Sequence, residues 1–411
     1  MKSLFRIKGY REEFDSAVSS KHQSPTGGVI DAVTIVDALL HDAISKPVSD
    51  IHIEPIDDGL RIRYRIDGVL SDQLPLENQF KAEVISRVKV LAQIDIAEKR
   101  IPQDGKFSFS SNLKTVDLRV STFPAVGGEK VVIRILDRAA QALGLERLGL
   151  ADDMYQQLKT LLHRPHVFFL VTGPTGSGKT TTLYAALSML HSPEKNSVTL
   201  EDPVEYSLPG VTQGQINPQA GFTFARGIRA VLRQDPDILM VGEIRDRETA
   251  ATAIEASLTG HVVLSTLHTN DASSAVIRLM DMGIEPFLIN ASLGGVLAQR
   301  LARKICTMCK VQMPETPEYL IRAQLFGLAN IPTYYGIGCA SCDHLGYKGR
   351  IGIFELLTLT NDLRSCIVKA PSVDAIRDRA IAGGMRTLTT DAVAKVVKGI
   401  ISLDECARVA S

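Results

Sequence analysis

The chain has 411 residues, with 46 basic and 46 acidic side chains and a formal net charge of zero. That length allows two or three domains with proper cores, and the balanced charge gives no electrostatic case for wrapping nucleic acid or lying on an anionic membrane. No apolar run is long enough for a membrane-spanning helix, and charges interrupt the N-terminal MKSLFRIKGYREEF where an export signal needs its apolar core. Six cysteines in a chain without an export signal are expected to be thiols or metal ligands rather than disulfides. The expectation is a soluble cytoplasmic protein.

In chain order, residues 1–26 are polar and end in QSPTGG, which reads as a flexible leader. Residues 27–138 combine a helix over VIDAVTIVDALLHDAISK with the strands IHIEP, LRIRYRIDG, VDLRVSTF and VVIRILD, a pattern expected of a small α+β domain. The chain crosses near LGLERLGLADD into residues 139–299. There the strands VFFLV, SVTLED, DILMVGE and HVVLST alternate with helices, which predicts a parallel sheet covered on both faces. Residues 300–350 form a cysteine-bearing insert, and residues 351–411 close the chain with helices over SVDAIRDRAIAGG and LTTDAVAKVVKG.

The third of these segments holds GPTGSGKT: Gly173, Pro174, Thr175, Gly176, Ser177, Gly178, Lys179 and Thr180, with Thr181 next. It fits the phosphate-binding loop pattern. The apolar run VFFLV before it and the helical spacing of TTLYAALSML after it supply the strand–loop–helix context that the motif needs. Successive backbone N–H groups and the helix N-terminus then cradle phosphate oxygens. Lys179 is expected to reach the β- and γ-phosphates of a nucleoside triphosphate, and the Thr180 hydroxyl to hold Mg²⁺.

Two acidic strand ends lie further on. DILMVGEIRD brings Glu243 to the C-terminal end of a strand, where open α/β sheets bind ligands. An aspartate usually precedes such a glutamate, and Gly242 stands there instead, so Glu243 is the natural group to orient or deprotonate the attacking water. The other reading pairs it with Arg245 or Arg247. SVTLEDPVEY offers Glu201, Asp202 and Glu205 at the same sheet edge. GHVVLSTLHTND places His261 before a strand and His268 after it. A lone histidine is commonly a packing or surface residue, but at a strand end His268 is also placed to sense the γ-phosphate. Finally, Cys306–Thr–Met–Cys309 and Cys339–Ala–Ser–Cys342 are two C-x-x-C knuckles 29 residues apart. Four thiolates at that spacing suit a closed, tetrahedral structural Zn²⁺ site, with His344 as a possible substitute ligand. Cys366 and Cys406 fall in predicted helices and read as small buried hydrophobes.

Taken together, the phosphate loop with TTLYAAL, LEDPVEY, LRQDPDILMVGEIRDRETA and SLTGHVVLSTLHTNDA resemble the secretion ATPases of bacterial type II secretion and type IV pilus assembly. SDIHIEP, RIPQDGKF, VLAQRLARKIC and GYKGRIGIFELL match the same family, so the resemblance covers roughly residues 45 to 410. It implies a RecA-like P-loop ATPase domain and a homohexamer docked on inner-membrane platform proteins. Such a motor uses ATP with Mg²⁺ to move pilin-like subunits. It also implies arginine fingers, for which Arg119 in DLRVSTF and Arg134 in VVIRIL stand on matching strands; the competing reading is that each pairs with a local carboxylate. The four-cysteine insert resembles that of the assembly and export branch, and retraction motors generally lack it. QDGK stands where QDGR is usual, and a short leader is expected in place of the large N-terminal domain that grips the membrane partner. The resemblance leaves two other classes to weigh: a motor acting on nucleic acid, including that of a DNA-uptake machine, and an ATP-binding scaffold without turnover. No direct nucleic-acid contact is expected from the neutral charge.

Overall fold

A computed structural model describes residues 31–111, 114–136, 144–328, 331–369 and 371–410. The leader predicted over residues 1–26 lies outside the described residues, as does the predicted boundary at 138/139. The chain divides into two compact units, Met1–Ala140 and Gln141–Ser411.

In the first unit the helix Ala32–Ser45 begins at Asp31, whose carboxylate accepts a hydrogen bond from Thr34 N at 2.8 Å. Its buried residues Ile35, Val36, Leu39, Leu40, Ala43 and Ile44 recur at helical spacing and form one stripe. The strands are β1 (Val48–Ile56), β2 (Gly59–Ile66), β3 (Val69–Asp72), β4 (Leu76–Glu77), β5 (Gln103–Ser110), β6 (Thr115–Ala125) and β7 (Gly128–Leu136). They pair antiparallel in the order β3-β2-β1-β7-β6-β5, with β4 beside β2. Along β6, Val116, Leu118 and Val120 enter the core, while Asp117, Arg119 and Ser121 take the other face. The helix Lys81–Leu91 and strand β5 were not anticipated from the sequence. Polar residues break the apolar pattern of both: the helix buries only Val84, Ile85, Val88 and Lys89, and β5 lies at the sheet edge.

The second unit is built on β8 (Val167–Thr172), β9 (Ser197–Glu201), β10 (Thr212–Gln215), β11 (Ile238–Val241), β12 (Val262–Leu267), β13 (Leu293–Ile305) and β16 (Tyr347–Thr358); the short pair β14 (Lys310–Gln312) and β15 (Tyr334–Gly336) lies between the last two. The main sheet runs β10-β9-β11-β12-β8-β13-β16, parallel throughout except for β16. Every residue of β8, β9, β11 and β12 is buried, as a sheet covered on both faces requires. On one face Phe168 and Leu170 join a core with Ala250, Ile254, Val276 and the C-terminal Ala392 and Val396. On the other, Phe169 and Val171 pack with Leu158, Leu161, Leu183 and Leu187. The sequence suggested four strands here. The long β13 and β16 extend the sheet across positions 300 and 350, so the cysteine segment hangs between the ends of two sheet strands. Among the described residues, no helix is long and apolar enough to cross a membrane.

Candidate nucleotide site and cysteine cluster

Strand β8 delivers the loop 173–180 to the C-terminal edge of the parallel sheet. Gly173 has φ +149° and Gly178 φ +89°, conformations that favour glycine, and backbone leaves no room for a side chain at Gly173. A Cβ at 173 would lie 2.4 Å from the Gln299 carbonyl oxygen, and one at 178 would lie 2.8 Å from Gln299 Nε2. The helix Lys179–Leu190 starts directly after Gly178. Lys179 Nζ donates to the carbonyls of Gly173 (2.8 Å) and Pro174 (3.2 Å), so the ammonium folds over the loop. Burial holds its pKa below the usual lysine value; Glu243 opposes that shift and Arg300 adds to it. Pro174, Thr175, Gly176 and Thr180 are exposed, whereas Ser177 is buried. The end of β8 is tied to the loop after β12, since Thr269 N donates to Thr172 Oγ1 at 2.9 Å.

Glu243 follows β11 at the same edge. Arg245 Nη2 lies 2.5 Å from its Oε1 and His268 Nε2 lies 3.3 Å from its Oε2. The ion pair with Arg245 therefore exists, and His268, 49% exposed, shares the same carboxylate. A side chain at Gly242 would place its Cβ 3.2 Å from the Leu200 carbonyl oxygen, a physical reason for glycine where an aspartate is usual. Lys179, Glu243 and His268 are thus gathered at one place.

Glu201 lies beside Gly242 but makes its hydrogen bonds elsewhere. It is buried, and its carboxylate accepts hydrogen bonds from Tyr184 Oη, from Thr199 Oγ1 at 2.5 Å and from Gln213 Nε2 at 3.1 Å. These groups belong to the sheet and to the middle of the helix after the loop. Burial and this carboxylate together raise the Tyr184 pKa well above its usual value. Asp202 is exposed. His261 sits at the opposite end of β12, where its Nδ1 bonds to the Ala256 carbonyl at 2.8 Å.

In the first unit Arg119 and Arg134 are cross-strand partners of β6 and β7. Arg134 Nε donates to Asp50 Oδ1 at 2.9 Å, yet its side chain stays 60% exposed.

The four cysteines converge. The sulfurs of Cys306, Cys309, Cys339 and Cys342 all lie within 4.8 Å of one another, with Cys306–Cys339 at 3.9 Å and Cys309–Cys342 and Cys339–Cys342 at 3.8 Å. A tetrahedron with Zn–S bonds of about 2.3 Å has sulfur–sulfur edges of about 3.8 Å, which the three short separations match, so the set fits Zn²⁺. Backbone N–H groups of Cys339 (3.3 Å) and Gly346 (3.2 Å) point at Cys342 Sγ. Burial opposes ionisation of that thiol, but these donors bring it down to about 7, while burial pushes Cys309 up to about 12. His344 is not part of the group. Cys406 is buried and Cys366 partly so.

Two residues at the loop escaped the sequence reading. Gln299 of β13 accepts from Thr182 Oγ1 at 2.6 Å and lines both ends of the loop. Arg300 follows it. Their stretch, VLAQRLARKIC, matched the family, but nothing in its periodicity placed it beside the loop.

Residues 28–408 match the family described as Type II/IV secretion system protein. The chain is 50% identical over 378 residues to the Type II secretion system protein E of Dickeya dadantii, which covers 92% of this chain and 75% of that protein. It is 47% identical over 376 residues to the Type IV pilus assembly ATPase PilB of Thermus thermophilus, 91% of this chain and 42% of that protein. The solved Legionella pneumophila ATPase DotB shares the fold, with a TM-score of 0.68 at 21% identity over 92% of this chain and 96% of its own.

Proposed function

Because the chain belongs to the type II/IV secretion system protein family, as an ATPase powering secretion or pilus assembly, we propose that it works as a cytoplasmic homohexamer docked on the inner-membrane platform. In this reading it couples each turnover to the addition of pilin-like or pseudopilin subunits. The observation that carries it is the meeting of Lys179, Glu243 and His268 at the C-terminal edge of the sheet. Lys179 leaves its loop carbonyls for the β- and γ-phosphates, and the backbone N–H groups of 173–181 cradle them. Thr180 would hold Mg²⁺, which when bound neutralises charge between the phosphates. Glu243 takes the proton of the attacking water, with Arg245 and His268 fixing its two oxygens. Glu201 keeps the sheet edge and the following helix in register, and stays outside the reaction. The cysteine tetrahedron would hold a structural Zn²⁺, which favours the assembly and export branch over retraction.

The equatorial oxygens of the transition state need positive charge beyond that of Lys179. Arg119 and Arg134 supply it in this proposal, across a domain or subunit interface of the hexamer, where an arginine's planar fork suits phosphate. Steady-state hydrolysis measured over a range of protein concentrations tests this. Specific activity is expected to rise with concentration and to be indifferent to single-stranded DNA. Arg134→Ala is expected to bind ATP but turn over at least tenfold more slowly, a cost of about 1.4 kcal/mol or more. Unchanged turnover in both Arg119→Ala and Arg134→Ala would overturn the arginine assignment, and DNA-stimulated hydrolysis would favour a nucleic-acid motor.

A further inference from the structure

We propose that Arg300 belongs to the nucleotide site, and that its guanidinium binds the terminal phosphate of ATP from within the same chain. The inference rests on the reading of 173–180 as an ATP site, and starts from strand register. Ala298 of β13 pairs with Thr172, the last residue of β8, so Gln299 and Arg300 run on beside the phosphate loop. Gln299 and Leu301 turn towards Gly178, where a Cβ would meet them at 2.8 and 3.6 Å. Strand alternation sends Arg300 to the other face, against the loop that carries His268. There its Nη2 lies 3.5 Å from Asn270 Oδ1, a long contact, and its Nη1 is enclosed with no hydrogen-bond acceptor.

A half-buried guanidinium with its enclosed nitrogen unpaired favours an anion beside it, because shielding a charge from water without a partner is costly. The two carboxylates whose fields reach it are already engaged. Asp271 accepts from Arg377 Nη2 at 3.0 Å and caps Ser274 N at 2.7 Å; Glu355 accepts from Ala272 N at 2.9 Å and from Leu388 N at 3.3 Å. Among the described residues Arg300 has no ion pair, and the charge that it does sense at the loop is the ammonium of Lys179. Burial lowers the pKa of Arg300 although Asp271 and Glu355 work against it. An anion seated between Lys179 and Arg300 turns their repulsion into attraction for both. The neighbouring His268 contacts Glu243, the group assigned to the attacking water, so Arg300 stands at the terminal-phosphate end of the site rather than at the base or ribose.

Competition of ATP and of ADP against a fluorescent ADP analogue, with Mg²⁺, tests the assignment in the full chain. In Arg300→Gln, ATP is expected to bind at least about tenfold more weakly and ADP to change by less than about threefold, because only ATP loses a charge-assisted contact. Arg300→Lys keeps the charge but not the fork and is expected to fall between the two. Should the glutamine variant not fold, the lysine variant decides, since it too must weaken ATP more than ADP. Unchanged ATP affinity, or an equal loss for ATP and ADP, would overturn the assignment. Failure of the wild-type chain to bind the fluorescent ADP would instead overturn the phosphate-loop reading.

Discussion

Glu243→Gln is expected to bind ATP as the wild-type chain does and to hydrolyse it at least about a hundredfold more slowly, the scale of a lost general base. The substitution keeps the side chain's length and leaves an amide oxygen to accept from Arg245, whose Nη2 now sits 2.5 Å from the carboxylate. What disappears is the basic oxygen beside His268. Binding depends on Lys179, Arg300 and the loop backbone, which the substitution leaves in place. The two properties should therefore separate when nucleotide binding and phosphate release are measured on one preparation. A variant that releases phosphate at nearly the wild-type rate would reduce Glu243 to a structural partner of Arg245.

Freshly purified, chelator-free protein is expected to carry about one zinc per chain by elemental analysis, and Cys306→Ser to lose it. The cysteines come from two knuckles at the ends of β13 and β16, and among the described residues the two-stranded β14–β15 pair and the helix Pro317–Leu325 bridge them. The free energy of metal binding is then largely the folding free energy of this segment. With a ligand replaced, the stretch between residues 306 and 346 should become the first target of limited proteolysis. Metal-free wild-type protein, or a Cys306→Ser variant with unchanged zinc and unchanged cleavage, would contradict the zinc assignment.

Much of the site was legible because it lies in contiguous residues whose backbone needs are severe. A fully buried strand, glycines at positive φ and a helix starting at Lys179 leave the loop 173–180 few alternatives. The cysteines were legible from spacing, since two short knuckles need only be brought together. What the sequence hid depends on register and on strand faces. Glu201 ends its strand as Glu243 follows its own, yet its carboxylate falls on Tyr184 and Gln213. Arg119 and Arg134 sit side by side only because β6 and β7 pair at that offset. The mixed polar and apolar β13 shows no strong strand pattern over its Arg–Lys half, and the importance of Gln299 and Arg300 emerges only when it lies parallel to β8. The central parallel strands, wholly buried and mostly apolar, were simpler to recognise than the half-exposed β5 and the long, partly polar β13 and β16.

Titration of ATP onto the wild-type chain and Lys179→Ala, in the presence of Mg²⁺, tests the central claim most directly. Among the described residues the ammonium donates to the carbonyls of Gly173 and Pro174, and Glu243, the carboxylate that it senses, keeps Arg245 and His268, so its removal should leave the fold intact. Loss of charge-assisted bonds to two phosphates, each contributing about 1.5–3 kcal/mol, predicts saturable wild-type binding and a variant weakened by roughly a hundredfold or more. Equal affinity of the two proteins for ATP would contradict the assignment of the loop as the nucleotide site.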